Sequence, residues 1–479
     1  MILDDESCYA AFLAAEARFD GLFFTGVKST KIYCRPICSA RKPLRKSCAF
    51  FGTASEAEAA GFRPCLRCRP ELAPSSIGDT LPDALMRRVQ ERALEGVRLG
   101  DLDQDLGMSS RQVRRVFLKN FGVLPVQVIQ TQRLLLARQL LRETSQPIGQ
   151  IALAAGFRSL RTFNTLFTQR YGCAPSDCRS NRKVVQEGEV RLRLAYRPPL
   201  PWRALMTYFR SRLVPGVEEI DGDEYRRTVA IGSRHGWLRV WPDQRVGELQ
   251  VAVSPSLFPV LGAVQSRVRR MFDLDARPDV IGEMMTDDPL LAHVWARFPG
   301  LRVGGAWEIF ELAVRAVLGQ QITVAAATTL SGRLAARIGL SVVTPFAGLN
   351  RLAVTPAALA ELSVDDLCQL GLVSKRAETL RHLASFTLAG ELHFAPTASH
   401  EEVVEKLVKL PGVGPWTAHY IAMRALRFPD AFPAADLGLR KAIGSGTLVS
   451  TAAAEARSKA WQPWRAYAAI ALWFSQSLE

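Results

Sequence analysis

The sequence has no apolar run of membrane-spanning length, and its N-terminus lacks a basic stretch followed by an apolar core. We therefore expect no membrane partner and a cytoplasmic location. Histidine is also scarce, since the chain has 6 and none precedes His235. A metal site in the first half must therefore use other ligands. Beyond Cys178 the sequence has only Cys368, which excludes a C-terminal cysteine quartet and hence an iron–sulfur cluster there.

Positive charge is what the sequence has in excess, and its distribution is uneven. The net charge is +15, and residues 1–184 hold 28 Lys and Arg against 17 Asp and Glu, compared with 33 against 29 in the rest. Such a basic first half favours a polyanionic partner. A chain of 479 residues, 48% of them hydrophobic, can bury several cores, and its length predicts roughly four domains.

Two closely spaced cysteine pairs, Cys34-x3-Cys38 and Cys65-x2-Cys68, indicate a metal site near the N-terminus. Four thiolates suit one tetrahedral Zn²⁺, and on spacing alone a structural zinc ribbon is the leading interpretation. A fifth cysteine, Cys48, precedes Ala-Phe-Phe. We expect it to be a packed thiol on a strand.

The stretches STKIYCRPICSARKPLR and ASEAEAAGFRPCLRCRP resemble the N-terminal domain of the Ada-type adaptive-response proteins over almost all of residues 1–75. The resemblance implies that zinc keeps Cys34 ionised, and that Cys34 takes a methyl group irreversibly from a methylphosphotriester in DNA. A metal-bound thiolate stays deprotonated at neutral pH, which suits that role. Lys31 stands where the family has glycine. Seven basic residues would hold the DNA backbone: Arg35, Arg41, Lys42, Arg45, Arg63, Arg67 and Arg69.

Residues 80–183 predict an all-α domain with two helix-turn-helix units. Each unit has a turn glycine and a serine at the N-cap of its second helix. The units cover 99–119 around Gly107 and 148–170 around Gly156, and a long helix over 126–142 would join them. The run IGQIALAAGFRSLRTFNTLFTQRYGCAPSDCR resembles the AraC-type regulator signature. That resemblance implies a sequence-specific activator, with RNA polymerase as a further partner.

The second helices of both units carry side chains that reach base edges and phosphates. They are Arg111, Gln112, Arg114, Arg115, Arg158, Arg161, Thr162 and Asn164. Four aromatic residues of the second unit are expected in its core: Phe157, Phe163, Phe167 and Tyr171. The alternative is a basic helical domain that reads no sequence.

The segment 407–440, LVKLPGVGPWTAHYIAMRALRFPDAFPAADLGLR, carries the strongest pattern of the second half. A helical pattern stops at Pro411, a Gly-Val-Gly turn follows, and a second helical pattern begins. Bare amides at a helix N-terminus favour an anion, which on a basic protein is a DNA phosphate. The layout resembles the helix-hairpin-helix DNA glycosylases, which implies DNA contacts from Gly412, Gly414 and Thr417. Asp436, in an uncharged run, is either a functional carboxylate or an ordinary N-cap.

Several motifs over 190–479, among them YRPPLPW, FDLDARPDVI and WQPWRAYAAIALW, resemble the AlkA-type 3-methyladenine DNA glycosylases. The resemblance implies that Asp436 stabilises an oxocarbenium-like sugar and orients water. It also implies an intercalating loop in which Gln321 or Ile322 fills the gap left by an extruded base. Trp416 stands where bifunctional relatives have a lysine, so we expect no strand cleavage.

Four aromatic residues match the base pocket of these glycosylases: Tyr208, Trp416, Tyr420 and Trp473. Electron-rich ring faces attract cations, and N3- or N7-alkylated purines are cationic. The alternative for each ring is ordinary helix core, which is where we place Trp464. Helices are predicted over 307–318, 320–337 and 375–388, and strands over 190–196, 237–240 and 249–253.

Together these patterns predict a multidomain fold. It comprises a small α+β zinc domain over 1–75, an all-α AraC-type double helix-turn-helix over 80–183, an α+β TBP-like domain over 188–282 and an all-α helix-hairpin-helix domain over 283–479. We expect a zinc phosphotriester methyltransferase and activator joined to a monofunctional glycosylase for 3-methyladenine and 7-methylguanine, bound to double-stranded DNA at the nucleoid. No Pro-Cys-His-Arg occurs, so we expect no O6-alkylguanine repair. The alternative is a regulator whose glycosylase half only binds DNA.

Overall fold

The computed structural model describes residues 4–75, 80–97, 99–179, 188–243 and 247–476. They form two compact units. The first unit contains Met1–Pro198, Asp243–Arg269 and Ala395–Thr397, and the second contains Pro199–Pro242, Arg270–Phe394 and Ala398–Glu479. The Ala-Pro-Ser-Ser stretch at 73–76 and the stretch 180–189, whose composition predicts linkers on either side of the helix-turn-helix domain, lie partly outside the described residues. No described helix is long and apolar enough to cross a membrane.

The strands fall into two parts of the chain. They are β1 (Phe24–Val27), β2 (Ile32–Cys34), β3 (Cys48–Phe51), β4 (Arg63–Pro64), β5 (Val190–Ala195), β6 (Glu218–Asp221), β7 (Glu224–Ile231), β8 (Arg234–Asp243) and β9 (Glu248–Val253). In the first unit, β5 pairs antiparallel with β9. In the second unit, β6, β7 and β8 form an antiparallel meander. The sequence patterns predicted β5, part of β8 and β9 but missed β6 and β7, whose many charged residues hide the alternation of a half-buried strand.

Helices make up most of the remaining structure. The first unit has α1 (Asp5–Ala14), α2 (Ala54–Ala59), α3 (Leu81–Leu94), α4 (Leu102–Leu106), α5 (Ser110–Phe121), α6 (Pro125–Glu143), α7 (Ile148–Ala154) and α8 (Leu160–Tyr171). Later in the chain come α9 (Trp202–Arg210), α10 (Leu261–Met271), α11 (Pro278–Asp287), α12 (Pro289–Arg297), α13 (Ile309–Leu318), α14 (Val324–Ile338), α15 (Pro356–Ala360), α16 (Val364–Gln369), α17 (Ser374–Leu388), α18 (His400–Val408), α19 (Pro415–Arg424), α20 (Leu437–Ile443), α21 (Thr451–Ser458) and α22 (Arg465–Ser475).

A small four-stranded sheet, in the order β3-β1-β2-β4, brings the two cysteine pairs together. The strands β2 and β4 are parallel, with Tyr33 beside Pro64. The first cysteine pair begins at the last residue of β2 and the second directly follows β4. The N–H of Cys65 donates to the carbonyl of Tyr33 at 2.9 Å. This parallel register explains how cysteines 31 residues apart in sequence become neighbours. The fifth cysteine, Cys48, begins β3 and is buried, as predicted.

The two helix-turn-helix units have the predicted form. Gly107 and Gly156 adopt left-handed turns, with φ of 63° and 85°. Ser109 and Ser159 cap the second helices α5 and α8 by accepting from backbone N–H groups three residues on. The long joining helix α6 is buried along most of one side. The four aromatic residues predicted for the core of the second unit are all buried.

In the second unit the helices α11 to α22 surround one apolar core, to which Trp464 contributes as predicted. The helix predicted over 320–337 instead begins at Val324, because Gln321 takes a left-handed conformation with φ of 55° and Thr323 supplies the N-cap. The residues between α13 and α14 therefore form a short loop. This loop leaves Gln321 exposed, while Ile322 packs against the core.

Candidate metal centre and base pocket

Four thiols converge at the ends of β2 and β4. The Sγ atoms of Cys34, Cys38, Cys65 and Cys68 all lie within 4.8 Å of one another, and no other such group occurs among the described residues. A tetrahedral Zn–S₄ centre with bonds of about 2.3 Å needs sulfur–sulfur distances of roughly 3.8 Å, so the cluster fits one zinc ion. Hydrogen bonds from neighbouring thiols, that of Cys38 first, and burial raise the pKa of Cys34 far above its usual range. A bound cation would therefore be needed to keep Cys34 as a thiolate.

Hydrogen bonding distinguishes Cys34 from the other three cysteines. The sulfur of Cys38 accepts the backbone N–H of Ala40. The sulfurs of Cys65 and Cys68 also accept backbone N–H groups, at 3.4 Å and 3.3 Å respectively. Within residues 4–75, no backbone N–H donates to the sulfur of Cys34. An N–H donor stabilises a thiolate and lowers its nucleophilicity, so Cys34 is the most electron-rich of the four. Exposure does not favour it, since Cys34 is 5% exposed whereas Cys68 is only half-buried.

The backbone at Lys31 has a conformation that suits the glycine expected there from the family resemblance. Lys31 adopts a φ of 54°, a left-handed conformation that glycine takes without strain. Its side chain turns onto the ring of Phe62, with the ammonium 5.0 Å from the ring centroid. The lysine therefore occupies a turn between β1 and β2 rather than filling the thiol cluster.

Two of the basic residues predicted to hold the DNA backbone near the zinc site have guanidinium groups that are paired within the protein. Arg35 is buried, pairs with Asp20, and donates to the carbonyl of Cys68 at 3.0 Å. Arg69 is also buried and lies between Glu71 and Glu143. Arg35 thus links segments within the zinc domain, and Arg69 links the zinc domain to the end of α6. The residues that remain exposed from the predicted set are Arg41, Arg63 and Arg67.

The helix-turn-helix surfaces keep the predicted contact residues in solvent. Arg111 and Arg114 on α5 are exposed, and so are Arg161 and Asn164 on α8. Gln112 is exposed as well, but its amide oxygen accepts the N–H of Ser109 at 3.0 Å in a capping box. Its first role is therefore to fix the start of α5.

The hairpin joins α18 to α19 through a turn whose two glycines differ. Gly412 has a φ of 84°, and a Cβ there would lie 1.9 Å from the hydroxyl of Thr379, so the position requires glycine. Gly414 is the N-cap of α19 with a φ of −92°, and a Cβ there would meet nothing within 4 Å. Gly414 is thus free of internal constraint, and the helix N-terminus beyond it is open to a ligand.

The loop before α14 is tied to this hairpin by a residue that the sequence patterns did not single out. The amide of Gln320 donates to the carbonyl of Gly412 at 2.9 Å and to the hydroxyl of Thr417 at 3.0 Å. Arg376 in turn donates to the carbonyl of Gln320 at 2.6 Å. Thr417 is buried, and its contact with DNA stays a prediction. Gln320 fixes the loop that presents Gln321 relative to the hairpin.

Asp436 is an N-cap and also lies at the centre of an indole cluster. Its Oδ1 accepts from the N–H of Leu439 at 3.0 Å, which caps α20. The indole N–H of Trp473 donates to the same oxygen at 3.0 Å, and that of Trp416 donates to Oδ2 at 2.9 Å. An isolated cap needs neither indole. The half-buried carboxylate is therefore held in one orientation by groups from α19 and α22.

The four predicted pocket aromatics form one continuous group beside this carboxylate. Trp416 stacks on Tyr420, with ring centroids 5.3 Å apart and planes 13° apart. Trp473 lies 6.2 Å from Tyr420. Tyr208 is buried, and its hydroxyl lies close to that of Tyr420. The two indoles are half-buried and the two phenols are buried, so the indoles form the accessible side.

Arginines around the phenols are the feature that sequence reasoning missed. Arg424 is buried, donates to the hydroxyl of Tyr420 at 2.6 Å, and is held by the carbonyls of Gly304 and Gly305. Arg212 lies over the ring of Tyr208 at 3.9 Å. Burial raises the pKa of Tyr420, but Arg424 and Arg212 outweigh it and lower that pKa to about 7. The sequence offered one sign of this contact, because Arg424 and Tyr420 are four residues apart and residues at that spacing lie on the same face of a helix.

Four family models match successive parts of the chain. The metal binding domain of Ada matches residues 7–71 and a helix-turn-helix domain matches 102–181. The AlkA N-terminal domain matches 191–308. The HhH-GPD superfamily of base excision DNA repair proteins matches 314–466.

One relative carries all of these parts in a single chain. A probable bifunctional transcriptional activator/DNA repair enzyme AlkA of Mycobacterium tuberculosis is 35% identical over 483 residues, covering 98% of this chain and 96% of the relative. The chain belongs to this family. The four-cysteine cluster of this bifunctional activator/repair protein is accordingly a zinc site of the Ada kind.

Other relatives match the halves of this family member separately. DNA-3-methyladenine glycosylase 2 of Escherichia coli is 31% identical over 285 residues, 59% of this chain and 96% of that protein. The bifunctional activator/repair enzyme Ada of Escherichia coli is 38% identical over 125 residues, 26% of this chain and 34% of Ada. Among solved structures, a 3-methyladenine DNA glycosylase of Archaeoglobus fulgidus has a TM-score of 0.53 at 23% identity, over 60% of this chain and 98% of that one. At that identity the match shows the fold alone.

Proposed function

We propose that the protein repairs alkylated DNA and activates the response to it. Its second half would hydrolyse the N-glycosidic bond of bases such as 3-methyladenine and 7-methylguanine, and its first half would transfer methyl groups from DNA phosphotriesters to Cys34 and then activate transcription. The observation that carries the glycosylase half is the clamp of Asp436 between Trp416 and Trp473. Two indoles fix a carboxylate beside an aromatic pocket. A carboxylate positioned next to the sugar is the group that stabilises the charge developing there when the glycosidic bond breaks.

In the glycosylase reaction, the target base would leave the duplex and enter the pocket. The exposed Gln321, on a loop fixed by Gln320, would fill the vacated space. The bond between C1′ and the base nitrogen breaks, and the bonding electrons leave with the alkylated base. Asp436 stabilises the positive charge that develops on the sugar and orients the water that attacks C1′. An alkylated cationic base is already a good leaving group, so no strong general acid is required.

The arginines refine the expected recognition of the base. Arg424 lies 5.0 Å from the centroid of Tyr208 and 5.4 Å from that of Tyr420, so the protein's own cations already occupy those phenol faces. The half-buried indoles of Trp416 and Trp473 then provide the faces available to a cationic base. We therefore assign cation recognition to the two tryptophans and the shape of the pocket floor to the two tyrosines.

In the first half, the four cysteines would hold Zn²⁺, which would supply thiolate activation by keeping the sulfurs deprotonated. The sulfur of Cys34 attacks the methyl carbon of a methylphosphotriester. A carbon–sulfur bond forms, the methyl carbon–oxygen bond breaks, and the phosphate leaves as an ordinary diester anion. The absence of an N–H donor to Cys34 supports its choice over the other three thiolates. The thioether product cannot return the methyl group, so each protein molecule reacts once.

Methyl transfer would also change the charge of the site and thereby switch DNA binding. Four thiolates with one Zn²⁺ carry roughly −2, and a neutral thioether at Cys34 leaves about −1. Losing one negative charge near the DNA backbone is worth ~1 kcal/mol in a partly desolvated interface, and less at high salt. A gain of about 1 kcal/mol corresponds to roughly fivefold tighter operator binding, and a gain of about 1.4 kcal/mol to tenfold. The exposed residues of α5 and α8 would supply the choice of sequence.

The test uses the full chain with duplex DNA that carries either methylated bases or methylphosphotriesters. We expect release of free alkylated bases from the first substrate without strand cleavage, and one methyl group on Cys34 from the second. Binding of methylated DNA without base release would favour the alternative of a regulator whose glycosylase half only binds DNA. A methyl group found on Cys68, the most exposed of the four, would overturn the assignment of Cys34.

A further inference from the structure

Two cysteines outside the zinc site lie next to each other at the end of the second helix-turn-helix unit. Cys173 and Cys178 are both free and half-buried. Their sulfur atoms are 3.2 Å apart. They do not extend to a metal site, since the four zinc-site cysteines form the one group of three or more potential ligands in the described chain. Two thiols in contact, with no metal to hold, form a pair suited to oxidation.

The backbone around the pair holds it in place. Helix α8 ends at Gly172, which takes a left-handed C-cap with a φ of 71°. A 3₁₀ turn over Pro175–Cys178 then returns the chain, and the carboxylate of Asp177 accepts the N–H of Ala174 at 3.0 Å. Arg179 donates to the carbonyl of Gln146. Both cysteines therefore lie on an ordered turn, and a disulfide of about 2.05 Å needs the sulfurs to approach by about 1.1 Å.

We propose that Cys173 and Cys178 are a thiol–disulfide exchange site whose substrate is a low-molecular-weight disulfide. This inference is independent of the proposed repair function, because it involves neither DNA nor the zinc-site cysteines. The product is an internal disulfide that ties the residue after the α8 cap to the end of the following turn. The site thus modifies the turn that ends the second DNA-reading helix.

The two cysteines take different parts in the exchange. Burial, and then the Cys173 thiol, raise the pKa of Cys178 to about 12, although Arg138 and Arg142 of α6 oppose the shift. Cys178 therefore stays protonated, and Cys173 is the first nucleophile. The Cys173 thiolate attacks the external disulfide, forms a mixed disulfide and releases one thiolate. Cys178 then loses its proton to solvent and attacks the sulfur of Cys173, and the second external thiolate leaves. Two protein thiols are oxidised to one disulfide, while the external disulfide is reduced to two thiols.

The sequence allows a direct assay, because trypsin cleavage after Arg170 and Arg179 places both cysteines on one peptide, residues 171–179. The full zinc-loaded chain is incubated with oxidised glutathione, alkylated with N-ethylmaleimide, digested and analysed by mass spectrometry. We expect this peptide to carry no alkyl group and to have lost two hydrogens, and we expect dithiothreitol to restore both alkylation sites. Zinc content, measured in parallel, should not change.

Single replacements test the order of attack. Cys178→Ser should stop at a mixed disulfide with glutathione on Cys173. Cys173→Ser should react with oxidised glutathione at least ~10-fold more slowly. Two alkylated cysteines in the treated wild-type peptide would overturn the site itself. Equal rates for the two variants would overturn the assigned order. Loss of zinc before this peptide oxidises would show that the zinc thiolates are the true target, which also overturns the proposal.

Discussion

Replacing Asp436 by asparagine tests the clamp at the centre of the base pocket. The carboxylate accepts three hydrogen bonds, from Trp416, Trp473 and the N–H of Leu439. Asparagine has one acceptor oxygen, so its amide nitrogen must face one indole N–H, donor against donor. Leaving that N–H unpaired costs about 1–3 kcal/mol of stability. The larger effect is on catalysis, where losing an electrostatic stabiliser costs ~100-fold or more in rate, or about 2.7 kcal/mol in the barrier.

A matched control exists in the same unit. Asp288 is also an N-cap, with Oδ1 accepting from the N–H of Leu290 at 2.9 Å and Oδ2 accepting from the indole of Trp461 at 2.7 Å. Trp461 is buried in the core, and neither residue belongs to the aromatic pocket. Asp288 also pairs with Arg457. Asp288→Asn should therefore lower stability by at least as much as Asp436→Asn, without lowering the rate of base excision per folded molecule.

The assay is single-turnover release of 3-methyladenine from methylated duplex DNA, with thermal unfolding and DNA binding measured on the same samples. We expect Asp436→Asn to bind damaged DNA and to excise the base at least ~100-fold more slowly than wild type. Asp288→Asn should excise at close to the wild-type rate. Two results would refute the reasoning. One is excision by Asp436→Asn within about threefold of wild type, and the other is an equal loss of activity in both variants.

Four further predictions follow from other parts of the structure. Alanine at any zinc-site cysteine other than Cys34 should abolish zinc binding by atomic absorption, whereas Cys48→Ala should retain it. Gly412→Ala should lower the free energy of unfolding by ~2 kcal/mol or more because of its positive φ and the clash with a hydroxyl, whereas Gly414→Ala should unfold like wild type and weaken only DNA binding. Protein methylated on Cys34 should bind operator DNA roughly fivefold to tenfold more tightly at low salt, and equal affinities there would defeat the charge switch. Burial, and then a neighbouring histidine, lower the pKa of His419 to about 4. The native state therefore favours the neutral ring, and the free energy of unfolding should fall as the pH drops from ~6.5 towards 4. In thermal melts, His419→Gln should reduce this loss of stability.

Local patterns in the sequence predicted the elements whose signals are local. The caps at Ser109 and Ser159, the turn glycines and the hairpin all follow from residues within a few positions of each other. Cysteine spacing identified the metal ligands, because a metal site requires particular side chains at short spacings. The family likeness then placed Asp436 and the aromatic pocket.

Features that depend on contacts between distant segments were not predictable in this way. The ion pair that removes Arg35 from the DNA surface involves Asp20, and nothing in the local sequence links the two. The tie from Gln320 to the hairpin spans 92 residues. The strands β6 and β7 were not predicted, because their charged residues pair with each other across the strands, as Arg226 does with Glu219. For Arg35 and Gln320, a partner outside any short local window decides the role of the side chain.

The most direct test of the account is base release by the full chain from duplex DNA that contains 3-methyladenine and 7-methylguanine. Release is followed by chromatography of the free bases, and strand integrity is followed on a gel before and after alkali treatment. The account predicts free alkylated bases and a strand that breaks only after alkali, since Trp416 stands where a lyase would carry its amine. Binding to the damaged duplex with no free base released would contradict it.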